Sequence, residues 1–509
     1  MRWDGMGLEL LLNGFATFFS IKYISACFIG ALVGTTVGIL PGVGPTATMT
    51  LMLPFTLAYG PTFGLIMLSG VLCGAMYGGS TTSILVNIPG ETASVVTCID
   101  GYQMAKKGRA GAALTLVAIG SFVAGTFGII GLQIFVPLVA NAALAFGPPE
   151  YFSLMLFCFI ILSGISTGSP RKASIMFALG FWLSSIGICP LDGVSRFTFG
   201  FHSLMLGIEF LPIAVGIFGI AEVLDIALKR YVPPTMEKLR LKDLYPNREE
   251  VRRSLFPMGR GTIIGFLIGL LPGPSGPIST FISYAVEKRI SKTPERFGTG
   301  MVEGVVAPES ANNGAAVSAM IPLLTLGVPF SAPMAVLLAG LLMHNIQPGP
   351  LLFTKTPEMF WTFIAALYIG NIVLLVLNLP LVGLLARIVT IRPMILMPFI
   401  SLICLFGVYS VRNSFFDVWI MILAGISGVF FRKFNYPIPP LAIGLVLGPI
   451  TENSLRKTLM TFKGNLLYIF DKPIALVFFS LALALIIYKV VGYLLHWQSP
   501  AKKITEADS

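Results

Sequence analysis

Residues 38–56 read GILPGVGPTATMTLMLPFT, an apolar segment that prolines, glycines and threonines interrupt. Proline lacks the N–H that a helix interior needs, and glycine weakens a helix, so the segment predicts a break. Inside a bilayer, irregular backbone is tolerated only where protein surrounds it or where it lines a water-filled cavity. The segment therefore predicts a helix that breaks inside a membrane-spanning protein.

The composition of the 509-residue chain agrees with a membrane protein. Hydrophobic residues make up 55% of the chain and charged residues only 11%, whereas soluble domains are about 25% charged. Apolar segments of roughly the length that crosses a bilayer recur along the sequence. They lie near 23–40, 61–86, 111–136, 150–168, 173–190, 203–228, 303–328, 359–386, 393–411, 414–431 and 472–493. We predict an all-α polytopic membrane protein with about ten to twelve transmembrane helices.

The basic residues indicate the orientation of the chain. The formal net charge is +11, and Lys and Arg cluster at 106–109, 171–172, 229–260 and 288–296, between apolar segments. Cytoplasmic loops of membrane proteins collect such residues, so we prefer this interpretation to nucleic-acid binding. The six cysteines show no CxxC or metal-ligand spacing and predict neither a disulfide framework nor a metal site.

The basic segment 229–260 separates two apolar halves of similar length. We expect five regions: an interfacial or short membrane helix at 1–22, a first membrane half at 23–228, a basic cytoplasmic linker at 229–260, a second membrane half at 261–493 and a polar tail at 494–509.

The interrupted segment recurs in the second half. GFLIGLLPGPSGPISTFISYAVEKR, from Gly265, repeats the spacing of glycines and prolines in GTTVGILPGVGPTATMTLMLPFT, from Gly34. Only about 25 residues separate Arg260 from Glu287, and the basic residues on both sides predict that both ends lie in the cytoplasm. A single span cannot return to the side where it began, so a re-entrant helical hairpin is predicted. Paired breaks in corresponding halves are typical of two inverted-topology repeats and point to a binding site.

Each half also contains a polar, glycine-rich insertion further along. The first is YGGSTTSILVNIPGETAS, from Tyr77, and the second is APESANNGAAVSAMIPLLTLGVPFSAP, from Ala307. A broken helix exposes N–H groups and partial positive charge where its second part begins, which suits an anion. The carbonyls that a break frees at the other end suit a cation. The breaks therefore predict a site for an anionic substrate and a coupling cation.

The candidate residues come from these breaks and insertions. For the substrate they are Gly42, Gly44, Thr46, Thr48, Asn87, Gly90, Thr92, Gly273, Gly276, Ser279, Thr280, Asn312, Asn313 and Ser331. The helix breaks are assigned to Gly38, Pro41, Pro45, Pro89, Gly269, Pro272, Pro277 and Pro329. Ion coupling is assigned to carbonyls at Pro41 and Pro272 and to Glu309, because an ionisable group in an apolar segment is a functional candidate.

Alternatives exist for several of these residues. Gly-x-x-x-Gly in lipid is commonly a helix-packing surface, so the glycines before each break have a purely structural interpretation. Glu91 and Asp100 are the next ionisable candidates after Glu309, but a position at the cytoplasmic surface near Lys106 is preferred for both, and Glu222 is expected at the membrane interface.

Three long motifs resemble one family of transporters. They are YGGSTTSILVNIPGETASVVTCIDGYQMAKKGRAGAAL, SYAVEKRISKTPERFGTGMVEGVVAPESANNGAA and IPLLTLGVPFSAPMAVLLAGLLMHNIQPGPLLF. Over nearly its whole length the chain is similar to the large membrane subunit (TctA type) of the tripartite tricarboxylate transporters. The resemblance implies a permease of the bacterial inner membrane. It also implies two partners, a small membrane subunit (TctB type) and a periplasmic solute-binding protein (TctC type), and import of carboxylates on a sodium or proton gradient without ATP or another cofactor.

The chain departs from the family pattern at two places. The second Pro-Gly pair is followed by Pro274, Ser275, Gly276 and Pro277, where the family continues with a further glycine-rich step. The family also tends to have Gly-x-Pro-Gly where this chain has Phe330 in the last position. We expect Phe330 to narrow the pocket or to alter its substrate.

Three hypotheses of function follow. The first is a secondary importer of small carboxylates, in which a transport unit built from the two broken-helix regions alternates its access. The second is a channel, facilitator or exporter that needs no binding protein. The third, a membrane-embedded enzyme, is disfavoured because the apolar segments contain no HExxH, CxxC or Ser/His/Asp grouping and the chain contains no nucleotide-binding loop.

Overall fold

A computed structural model describes residues 3–40, 44–143, 145–165, 169–189, 192–228, 245–379 and 393–497. In the first half the helices are α1 Trp3–Phe18, α2 Ile21–Gly38, α3 Pro45–Leu57, α4 Pro61–Val86, α5 Val95–Lys106, α6 Ala110–Ala143, α7 Pro148–Ile165, α8 Pro170–Ser184, α9 His202–Met205, α10 Phe210–Ala214 and α11 Ala221–Leu228. A 3-10 turn, Thr92–Ser94, leads into α5, and a π-helical segment, Val215–Ile220, joins α10 to α11.

In the second half the helices are α12 Arg248–Gly269, α13 Ser275–Ile290, α14 Glu303–Ser318, α15 Met320–Leu326, α16 Ala332–Met343, α17 Pro350–Lys355, α18 Pro357–Asn378, α19 Pro393–Arg412, α20 Phe415–Lys433, α21 Pro439–Thr461 and α22 Pro473–Trp497. Two 3-10 turns lie at Pro294–Arg296 and Leu466–Asp471. Two short antiparallel strands, β1 Gly187–Ile188 and β2 Ser195–Arg196, form the sheet in the described residues.

Six helices of the described chain are long and apolar enough to cross a membrane. They are Ile21–Gly38, Pro61–Val86, Ala110–Leu138, Phe210–Leu228, Pro357–Asn378 and Phe415–Lys433, and shorter apolar helices accompany them. The predicted all-α polytopic membrane protein is confirmed. The apolar segment near 303–328 does not form one span, because it divides into α14 and α15 at Ala319.

Two pairs of helices pack in the same way, α2 on α4 and α12 on α14. In each pair three glycines, spaced four residues apart, lie against three backbone carbonyls of the partner helix with the same spacing. They are Gly30, Gly34 and Gly38 against Met67, Val71 and Ala75, and Gly261, Gly265 and Gly269 against Ala307, Ala311 and Ala315. A Cβ atom at any of the six glycines would overlap a carbonyl, so this close approach requires glycine.

Both glycine-bearing helices end where the sequence predicts breaks. Gly38 and Gly269 are the last residues of α2 and α12, so the residues assigned to the breaks also pack the helices. In the second half the chain returns as α13, and the Arg260 guanidinium donates two hydrogen bonds of 2.7 Å to the Glu287 carboxylate. Since this contact joins α12 to the far end of α13, the segment is a helical hairpin.

Charged side chains join the two halves at one end of the molecule. Arg109 of the first half pairs with Glu250 of the second, and next to it Arg253 pairs with Glu303 within the second half. Asp100 was expected at the cytoplasmic surface, but its side chain is fully buried. Its Oδ1 accepts hydrogen bonds of 2.7 to 2.9 Å from the backbone N–H groups of Gly298, Gly300 and Met301. Its Oδ2 accepts one of 2.9 Å from the hydroxyl of Tyr284. Asp100 therefore fixes the loop between α13 and α14 onto α5.

The predicted region boundaries differ from the helix bounds at two places. Helix α12 begins at Arg248, inside the segment predicted as a linker, with Asn247 and Glu250 as a capping box; 229–244 lie outside the described residues. Helix α22 continues to Trp497, into the predicted tail, and 498–509 lie outside the described residues.

Replacing Gly265 with Ala should destabilise the protein, because the new Cβ would overlap the Ala311 carbonyl. Overpacking of this kind costs about 1–3 kcal/mol. Gly259→Ala in the same helix is the matched control, since nothing lies within 4 Å of its Cβ position. We expect a lower melting temperature in detergent for Gly265→Ala only. Equal melting temperatures for the two variants would contradict the packing described here.

Candidate functional site

A cavity of about 520 Å³ lies where helical segments from both halves of the chain begin. Its wall contains residues 44–47 at the start of α3, 90–93 before α5, 273–277 at the start of α13 and 330–334 at the start of α16. Two of these segments belong to each half of the chain. The cavity therefore lies at the interface between the halves.

The sequence starts these helices at the cavity for local reasons. Pro45 is the first residue of α3, with Gly44 as its N-cap, and Pro333 is the second residue of α16, with Ser331 as its N-cap. Proline suits these positions because the first turn of a helix has no intrahelical partner for its N–H groups. The remaining first-turn N–H groups, and the positive end of each helix dipole, favour an anion.

Two of the four segments have the same backbone conformation. Asn87 and Gly327 end α4 and α15 in the left-handed region, with φ of 57° and 70°. Four residues later, Glu91 and Ser331 are N-caps with the same φ of −145° and with ψ of 169° and 164°. NIPGE at 87–91 and GVPFS at 327–331 are therefore structural equivalents, in which Pro89 corresponds to Pro329.

The two equivalents differ at their fourth position. Gly90 lies against the carbonyl of Gly38, where a Cβ atom has no room. Phe330 takes the same position in the second copy, and its buried side chain lines the cavity. The backbone carbonyl of Phe330 accepts a hydrogen bond of 3.2 Å from the N–H of Gly273, whose φ is 137°. This bond joins the α13 hairpin to the start of α16.

Polar side chains of α14 contact the first half beside the cavity. Asn312 lines the cavity and donates a hydrogen bond of 2.7 Å to the Glu91 carboxylate. Glu91, which was expected at the cytoplasmic surface, lines this cavity. Asn313 instead donates to the Ser121 hydroxyl at 2.8 Å, away from the cavity wall.

Glu309 lies behind this wall and is fully buried. Its carboxylate accepts hydrogen bonds from the hydroxyls of Ser80, at 2.6 Å, and Thr97. Among the residues that the structure describes, no Lys, Arg or His lies within 4.0 Å of it as an ion pair. Burying an ionised carboxylate without a counter-charge is unfavourable, so this group favours the presence of a proton or a cation.

Eleven of the predicted residues lie together on the cavity wall. They are Gly44, Pro45, Thr46, Pro89, Gly90, Thr92, Gly273, Gly276, Pro277, Asn312 and Ser331. Pro272 lies in the loop between α12 and α13, away from the cavity lining. Pro41 and Gly42 lie outside the described residues.

Three predicted hydroxyls are used inside their own helices and do not line the cavity. Thr48 donates to the Gly44 carbonyl at 3.1 Å, Ser279 to the Gly276 carbonyl at 2.8 Å and Thr280 to the Pro277 carbonyl at 2.8 Å. Serine and threonine commonly bond to a carbonyl three or four residues earlier in a helix. These three side chains therefore support the helix starts rather than the cavity wall.

One charged pair on the cavity wall was missed in the sequence. Arg432, in the last turn of α20, forms an ion pair with Glu222 in α11, and both line the cavity. Glu222 was expected at the membrane interface and instead lies here. No sequence signal marked the pair, because Arg432 and Lys433 stand together at the end of an apolar helix, where basic residues ordinarily reach the membrane interface. Within the described ranges, no three His, Cys, Asp or Glu side chains come together to hold a metal ion.

Comparison with known proteins indicates a family of transporters. The chain is 44% identical over 483 residues to an uncharacterized 52.8 kDa protein in the TAR-I ttuC' 3' region of Agrobacterium vitis, covering 94% of this chain and 96% of that protein. It is 42% identical over 223 residues to a protein in the TAR-II ttuC' 3' region of the same organism, covering 44% of this chain and 92% of that protein. No solved structure matches. Residues 24–443 match the profile of the tripartite tricarboxylate transporter TctA family, and the chain belongs to that family.

Proposed function

We propose that this chain is the permease subunit of a binding-protein-dependent secondary transporter that imports small carboxylates. The observation that carries the proposal is the meeting of four helix starts, two from each half, at one cavity. Their unpaired N–H groups bind a carboxylate without a full opposite charge, so the substrate is held and can still be released. Family membership supports a transporter, and the cavity supports an anionic substrate.

Hydroxyl and amide groups on the wall complete the proposed site. Ser331 is the N-cap of α16, and its hydroxyl makes no capping hydrogen bond. Thr46, Thr92 and Asn312 line the same cavity. These side chains, with the backbone at Gly44, Gly90, Gly273 and Gly276, are the proposed contacts of the substrate.

Transport proceeds by alternating access of a unit built from the broken helices. The repeated packing of α2 on α4 and of α12 on α14 supports two repeats, and we propose that their topologies are inverted. The basic end of the molecule, near Arg109 and Arg253, faces the cytoplasm of a bacterial cell. The partners are a small membrane subunit and a periplasmic solute-binding protein, as the family description of a tripartite system supports.

A sodium ion or a proton drives the import. We assign the coupling to Glu309, because its buried carboxylate has hydroxyl partners and no basic partner within the described ranges. The carbonyls near Pro272, in the loop between α12 and α13, are further candidate ligands for a sodium ion. A proton would instead reside on the Glu309 carboxyl itself.

Ser331→Ala should weaken substrate binding about 10- to 100-fold, because a hydrogen bond to a charged group contributes about 1.5–3 kcal/mol. Ser279→Ala is the matched control, since the Ser279 hydroxyl bonds to carbonyls around α13. Titration of the substrate into each variant in nanodiscs measures the two affinities. A weaker affinity in Ser279→Ala and an unchanged one in Ser331→Ala would assign the substrate to the other side of α13.

Glu309→Gln should abolish accumulation against a gradient while substrate binding stays within about threefold, because the amide removes the ionisable group and keeps the shape. Glu303→Gln, in the same helix, is the control because Glu303 pairs with Arg253 away from the cavity. Accumulation and binding are measured in the same preparations. Normal accumulation by Glu309→Gln would remove this residue from coupling.

Proteoliposomes that contain this chain and its small subunit test the whole proposal. We expect uptake only when the solute-binding protein is present and when either a sodium or a proton gradient is imposed. The binding protein delivers the substrate and the ion gradient drives the import, so both are required. The ion that is required identifies the coupling. Uptake that depends on neither would instead assign the chain to the channels or facilitators.

A further inference from the structure

The charges on the cavity wall limit the charge of the substrate. Arg432 is the basic side chain of the described wall, and it is already paired with Glu222. Glu91 adds a carboxylate to the same wall. It accepts hydrogen bonds from Asn312 and from the N–H of Ser94 in its own capping box. Among the described residues of the wall, the side chains therefore provide no unpaired positive charge for a substrate.

The helix starts provide the remaining positive potential. Glu91 already occupies the start of the segment that leads into α5, which leaves the starts of α3, α13 and α16. Each helix start carries roughly half a positive charge, so the three together carry about 1.5. A tricarboxylate carries about three negative charges at neutral pH. One co-transported cation would raise this sum to about 2.5, which is still less than the charge of a tricarboxylate. The balance therefore favours one carboxylate and opposes three.

Much of the remaining wall is apolar. Leu72, Met76, Phe218, Phe330, Met334 and Ile443 line the cavity, and each is at most 8% exposed. Helix α21 also begins at the cavity, but Pro437, Pro439 and Pro440 have no N–H to donate. This side of the cavity therefore offers apolar surface and no hydrogen bonds to a second or third carboxylate.

The size of the cavity agrees with a substrate that has an apolar body. Its volume of about 520 Å³ lies in the range of sites that bind drug-sized molecules. Phe330 is the main asymmetry, because its structural equivalent in the first half is Gly90, which has no side chain. The second half thus contributes an aromatic ring to the cavity wall at the position where the first half contributes only the backbone of Gly90.

We infer that the substrate is a monocarboxylate with an apolar, preferably aromatic, body, and that Phe330 determines this specificity. The carboxylate lies among the starts of α3, α13 and α16. The apolar body lies against Phe330, Met334 and Phe218. This inference rests on the proposed function, since it specifies the carboxylate that the same cavity binds.

Calorimetric titration of the full chain in nanodiscs tests the inference with four probes: 3-phenylpropionate, propionate, citrate and the uncharged 3-phenylpropanamide. We expect 3-phenylpropionate to bind at least tenfold more tightly than propionate or citrate, because burial of the ring adds to the carboxylate contacts. The amide should bind at least tenfold more weakly than the acid. This order would support both the inference and the proposed function.

Phe330→Ala tests the residue that the inference names. The affinity ratio of 3-phenylpropionate to propionate should fall about tenfold in this variant. Phe406→Ala is the matched control, because Phe406 is 64% exposed in α19, away from the cavity. Its ratio should equal that of the unchanged protein. Since the comparison uses a ratio within each variant, a partial loss of folded protein does not alter it.

The remaining outcomes distinguish a failure of the inferred substrate from a failure of the proposed function. Tighter binding of citrate than of 3-phenylpropionate, or an unchanged ratio in Phe330→Ala, would overturn the inference and leave a carboxylate transporter. Equal binding of the acid and the amide, or no binding of any carboxylate, would overturn the inference and the proposed function together.

Discussion

The organisation of this protein depends on one constraint, which is that backbone groups freed inside a membrane need partners. The chain breaks its helices after α2, α4, α12 and α15, and after each break a new segment begins at the same cavity. Glycine contacts between helices make this arrangement compact. The carbonyls of α4 and α14 lie so close to their partners that only glycine fits between them. Tight packing next to the breaks thus leaves the helix starts as the free polar groups, and these define the site.

The two halves share a backbone conformation beside the cavity, but they differ in the side chains that they place there. NIPGE and GVPFS have the same capped turn, yet the first provides Glu91 and a bare glycine, whereas the second provides Ser331 and an aromatic ring. A similar difference separates α4 from α14. By the same register of glycine contacts, Glu309 in α14 corresponds to Ser69 in α4. The cavity therefore has contributions from both halves, whereas Glu309, the buried carboxylate behind its wall, has no carboxylate counterpart in α4.

Local features of the site were predictable from the sequence, and distant contacts were not. Proline and glycine determine the local backbone conformation, so the breaks around Pro45, Gly90 and Ser331 could be predicted from the sequence alone. The direction of a hydroxyl depends on its place in the first turn, and Thr48, Ser279 and Thr280 bond to their own helices. The Arg432–Glu222 pair joins residues 210 positions apart, and no local pattern indicates such a contact. The fold class followed from composition, since few charges and repeated apolar segments permit little else.

The hydrogen bonds of α14 and α5 also bear on which parts of the molecule can move as one body. Asp100, Glu309, Asn312 and Asn313 each bond to a residue of the other half, and most of these contacts are buried. Separating the halves along this line would leave several buried polar groups without partners, which is costly in a low-dielectric interior. Helix α14 is thus fastened to the first half by buried hydrogen bonds. A rigid part of the molecule that contains α14 therefore also contains the segments of α4 and α6 that it contacts.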